Sequence, residues 1–95
     1  MIPLDNEKGD RLREQSDLGH EARKLLDSRA YQNAMQAMKD EIYGAWRDSA
    51  PGDSVKREEA YQLNWGVDRL GKQLLTFVNR GKAADDKLAK ENEDG

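Results

Sequence analysis

Ninety-five residues, 37% of them charged and 36% hydrophobic, with a mean hydropathy of −1.07, suit one small domain with a thin core. No run approaches the roughly 18 apolar residues of a membrane span, the opening Met-Ile-Pro-Leu-Asp does not read as a signal peptide, and the lack of cysteine excludes a disulfide framework and thiolate chemistry. The net charge of −3 belongs to residues 85–95, where five acids face two lysines, so the body is neutral and exerts no long-range pull on nucleic acid.

In chain order, residues 1–15 are polar, contain Pro3 and Gly9, and read as a disordered arm. Ser16 and Asp17 can cap a short first helix carrying Leu18, Ala22, Leu25 and Leu26. Asp27-Ser28 offers a second N-cap, and the helix it starts should run to Trp46 or Asp48 with Tyr31, Met35, Met38, Ile42 and Ala45 on one face. Pro51-Gly52 stops it, because proline lacks an amide and clashes with the preceding turn.

Asp53 or Ser54 then caps a long third helix. Along it Ala60, Leu63, Val67, Leu70, Leu74 and Phe77 recur at alternating steps of three and four, the rhythm of a narrow apolar seam. Asn79-Arg80-Gly81 should close this helix, with Gly81 in the left-handed C′ position. Gly66 and Gly71 flank the seam, either allowing close approach or merely weakening the helix. Residues 83–95 read as an acidic, frayed or disordered tail.

The fold class expected is therefore all-α: an antiparallel helical hairpin over residues 16–82 with a short additional N-terminal helix. A connection this short forces antiparallel neighbours, setting Tyr31, Met35, Met38 and Ile42 against Phe77, Leu74, Leu70 and Val67. Two helices of this size are marginal alone, so a third helix or a second subunit should complete the core.

Functional residues are sparse. At about 100° per residue, Tyr61 and Trp65 point away from Leu63 and Leu70, and Arg69, Lys72 and Arg80 follow along the same outer side. Large aromatics are costly to leave in water. Tyr61 and Trp65 therefore suit interface anchors with Arg69 and Lys72 as a polar rim, or a site where Trp65 stacks a base and the cations meet phosphate. Trp46 should seal the turn over Val55 or Ala60. No metal set is expected around His20, the single histidine. Asp40 and Glu41 diverge by about 100° on a helix, no glycine-rich phosphate loop is present, and no nucleophile–base pair can be assembled. The expectation is no enzyme and no cofactor.

The pattern Leu25-Leu26-x-Ser28-x-Ala30-Tyr31, followed by Ala34, Met38, Glu41-Ile42, Trp46, Asp53, Arg57-Glu58, Leu70, Leu74 and Gly81, resembles small helical-hairpin proteins of tailed bacteriophages. The likeness covers roughly residues 22–83. It implies a phage gene and a non-enzymatic, often oligomeric product, working in the host cytoplasm or in the virion. More distantly, the turn followed by Arg57-Glu58-Glu59-Ala60 is similar to the phage hairpin domain that sequesters cyclic-nucleotide alarm signals. The reading that results is a self-associating interaction protein of virion assembly, with a phage or host protein partner. A nucleotide-sequestering anti-defence protein and a small DNA-packaging (terminase) subunit are the alternatives.

Overall fold

The computed structural model describes residues 3–94, with side chains over 7–91. It is all-α, with no strand among the described residues: α1 spans Pro3–Asp27, α2 spans Arg29–Arg47 and α3 spans Ser54–Asp94. These elements form two compact units. One combines α1 with α3 from Gln73 onward; the other, Asp27–Lys72, combines α2 with the earlier part of α3.

The boundaries around α2 follow the side-chain chemistry expected of them. Ser28 is extended (φ −67°, ψ 130°) and its Oγ accepts the Tyr31 amide hydrogen at 3.2 Å, satisfying one of the donors a helix start leaves unpaired. At the other end the Asp53 amide donates to the Ala50 carbonyl at 2.9 Å, closing a turn with proline and glycine at its centre. The Asp53 carboxylate accepts the Lys56 amide hydrogen at 3.1 Å, so Asp53 rather than Ser54 caps α3.

Both termini depart from expectation. The stretch read as a disordered arm is helix from Pro3 on, where the missing proline amide costs nothing in a first turn; Met1 and Ile2 lie outside the described residues. Its burial supplies the reason for its order: Gly9 is buried and Leu12 is only 6% exposed. The tail read as frayed is also helix, through Asp94, with Ala84 1% exposed; Gly95 lies outside the described residues.

Gly81 therefore ends nothing. No glycine among the described residues has a positive φ. A Cβ at Gly81 would lie 2.9 Å from the Gly19 Cα and 3.1 Å from the Gln15 carbonyl oxygen. One at Gly19 would meet the Gly81 Cα and the Phe77 carbonyl oxygen, each at 2.8 Å. Two backbones touch here, and only residues without a Cβ permit it. One turn along, Asp85 accepts from the Ser16 hydroxyl and lies 3.3 Å from His20 Nε2. Ascending numbers on α1 meet descending numbers on α3, so the pair is antiparallel. Leu12, Ala22, Val78 and Ala84 are its buried hydrophobic residues among those described, beside the buried Gly9, Gly19 and Gly81.

In the other unit Arg57 Nε donates to Ser49 Oγ at 3.2 Å, and Lys39 Nζ of α2 pairs with Asp68 of α3 at 2.8 Å. Of the expected seam, Ala60 and Val67 are buried. Leu63 and Leu70, expected in the core, are 62% and 50% exposed. On a helix wheel they sit about 40° and 60° to one side of Val67, whereas Asn64 and Asp68 sit on the other. Asp68 pairs with Lys39 of α2 at 2.8 Å, and the leucines lie on the exposed shoulder. No residue of α2 is buried.

Opposite responses are expected at two classes of glycine. Gly19→Ala or Gly81→Ala should cost about 1–3 kcal/mol through backbone displacement, overriding the gain in helix propensity. Gly66 and Gly71 have nothing within 4 Å of an added Cβ, so alanine at either should stabilise by about 0.5–1 kcal/mol. Urea unfolding followed by circular dichroism checks both signs.

Candidate interaction site

The outer face of α3 is brought together in part. Tyr61 and Trp65 are 67% and 58% exposed. The Arg69 guanidinium lies over the Trp65 ring, 5.4 Å from its centroid, because residues four apart are neighbours on a helix surface. Lys72 is exposed on the same helix. Arg80 belongs to the other unit and is not part of this cluster.

Tyr61 contributes instead to a cleft on the flank where α2 meets α3. Tyr43, Trp46 and Tyr61 stand around it over Ile42 and Ala60, with Lys39 and Asn64 at its edge, enclosing about 210 Å³. The turn explains how α3 reaches back to it. Ser49 Oγ donates to the Trp46 carbonyl at 2.6 Å and accepts from Arg57, holding the Arg57 guanidinium 5.8 Å from the Trp46 ring centroid. Arg47 likewise sits 6.0 Å from the Tyr43 ring centroid. A hydrogen bond and charge attraction from Asp48, 3.2 Å away, raise the Arg47 pKa above that of an ordinary arginine, so this cation persists at any working pH.

Trp46 shares this cleft with Ala60, one of its two expected partners, while Val55 is 67% exposed. Sequence reasoning missed the cleft because its aromatics come from two helices. The signal available was the spacing of Tyr43, Trp46 and Arg47 on α2, three and four apart.

The opposite flank of the same helix pair is a recess of about 480 Å³. Its floor is Ile42, Ala45, Ala60 and Leu63, and its rim carries Glu41, Asp48, Glu59 and Lys56. The two flanks differ in chemistry: one is aromatic with cations beside it, the other aliphatic with carboxylates.

In the α1 unit, Ser16 and His20 both bind the carboxylate of Asp85. The acid stands between hydroxyl and imidazole, whereas a nucleophile needs the base next to it. No cluster of metal-ligating side chains is found among the described residues, and none of the helices is long and apolar enough to cross a membrane.

No protein family, curated protein or solved structure matches this chain.

The exposed aromatics should matter little to folding. Trp46→Ala and Trp65→Ala each remove an exposed cation–π pair and should cost less than about 1 kcal/mol. Val67→Ala, at a position 6% exposed, should cost about 1–2 kcal/mol. Chemical denaturation separates the two classes, and a tryptophan loss as large as that at Val67 would place the ring in the core.

Proposed function

We propose that this chain is a non-enzymatic, self-associating interaction protein, a helical hairpin of α2 and the first part of α3 that oligomerises to cover its apolar surface. The observation that carries this reading is the uncovered seam. Met38, Leu63 and Leu70 occupy heptad-like positions yet are 47%, 62% and 50% exposed, and α2 has half-buried residues but no buried one. Adding Tyr43, Trp46, Tyr61 and Trp65 puts seven large apolar side chains in water within one unit. Large exposed apolar side chains in such number mark interaction surfaces, and Trp, Tyr and Arg are the residue types that anchor interfaces. The likeness to phage hairpin proteins directs this association to assembly of a phage particle, with a further phage or host protein as partner.

A second reading, capture of a nucleotide, is favoured by one feature. The Tyr43–Trp46–Tyr61 cleft presents rings beside Lys39, Arg47 and Arg57 with no carboxylate among its lining residues, a combination that suits base stacking and phosphate. Calorimetry against linear and cyclic nucleotides tests it, and no heat at millimolar ligand ends it.

For the first reading, sedimentation equilibrium should give a mass rising above the 10.8 kDa of one chain as concentration increases. Leu63→Lys with Leu70→Lys should return the protein to a monomer of unchanged helicity. A wild-type monomer at all concentrations would remove the reading.

A further inference from the structure

Self-association can be two-fold, with one patch meeting its own copy, or head to tail, with two different patches meeting. The α2 unit carries two different patches. Its recess has an aliphatic floor, centred on Ile42, Ala45 and Leu63, and among the described residues its rim acids Glu41 and Glu59 have no ion-pair partner. Its aromatic flank projects Tyr43 (62% exposed), Trp46 (49%) and Tyr61. Arg57 lies over Trp46 and has a hydroxyl, not a carboxylate, as its hydrogen-bond partner. The other charges of both flanks are already matched: Lys39 by Asp68, Arg47 by Asp48 and Lys56 by Asp53. Among these residues, the charges left without an ion-pair partner are Glu41 and Glu59 at the recess and Arg57 over Trp46 of the aromatic flank.

Resting on the self-association proposed above, we infer that the occupant of the recess is the aromatic flank of a second copy of this chain. Rings of one copy seat on the aliphatic floor of the next, and Arg57 of the first meets Glu41 and Glu59 of the second. A recess-to-recess dimer would bring four unpaired carboxylates together, and an aromatic-to-aromatic dimer would oppose two arginines. Like-charge juxtaposition of that kind is what interfaces avoid. The head-to-tail contact matches charge with charge and ring with aliphatic surface, the composition of a well-formed interface core and rim.

The arrangement has a consequence for assembly. Recess and aromatic flank lie on opposite sides of one helix pair, so occupying one leaves the other open. Association continues until it closes into a ring or extends as a filament.

Two single-flank variants of the full chain test this. Glu41→Lys with Glu59→Lys disables the recess; Trp46→Ala with Arg57→Glu disables the aromatic flank, and Tyr61→Ala is a second probe of that flank. All five residues are exposed, and circular dichroism confirms that each variant keeps its helicity. Sedimentation velocity should show each variant alone weakened in association by at least about tenfold, while an equimolar mixture of the two forms a heterodimer that grows no further. If the recess variant is monomeric but both aromatic-flank variants associate as wild type does, the contact is two-fold and the head-to-tail inference falls while self-association stands. If the wild type itself never associates, the underlying reading falls with it.

Discussion

The buried hydrophobic core among the described residues is Leu12, Ala22, Ala60, Val67, Val78 and Ala84, and no large side chain is fully enclosed. Half of these are alanines. A core so small gains little from transfer of apolar area out of water, so each helix contact has to come from close approach instead. In the α1 unit this is carried to its limit, where Gly19 and Gly81 bring backbone against backbone. Dispersion between atoms at contact distance replaces the bulk that larger side chains would supply, and Asp85 adds polar contacts to Ser16 and His20 beside the crossing.

The α2 unit solves the same shortage differently. Its buried residues are Ala60 and Val67, with the Lys39–Asp68 pair and the Ser49–Arg57–Trp46 set between α2, the turn and α3. Such exposed charge pairs and cation–π contacts contribute little each. The large side chains that would thicken this core face water. Several of them line two flanks of unlike chemistry, one aromatic and one aliphatic.

Much of the architecture was legible because it depends on local chemistry. Ser28 as cap, Pro51-Gly52 as stop and Asp53 as cap act through their own backbone neighbours, and the limits of α2 followed from them. The termini were illegible for a physical reason. Their burial rests on Gly9, Gly19, Gly81 and Ala84, residues whose value lies in having no bulk, and a search for hydrophobic periodicity gives such residues almost no weight. Gly81 misled, since a glycine near a helix end and a glycine at a helix crossing look alike until the partner backbone is known. Leu63 and Leu70 misled in the opposite sense: their spacing suits a seam, but burial in this stretch falls on Ala60 and Val67 and leaves both leucines exposed. Of the candidate site, the Trp65–Arg69 pair was readable from one helix, whereas the aromatic cleft and the recess needed two.

The glycine crossing also constrains how this sequence can drift over generations. At an ordinary core contact, enlargement on one side is compensated by a smaller residue on the other. Position 19 and position 81 are each already at the minimum, so neither has a substitution to offer in the other's defence. Related chains sharing this crossing should keep both positions fixed rather than covarying, and a pair of invariant glycines sixty-two residues apart would mark them out.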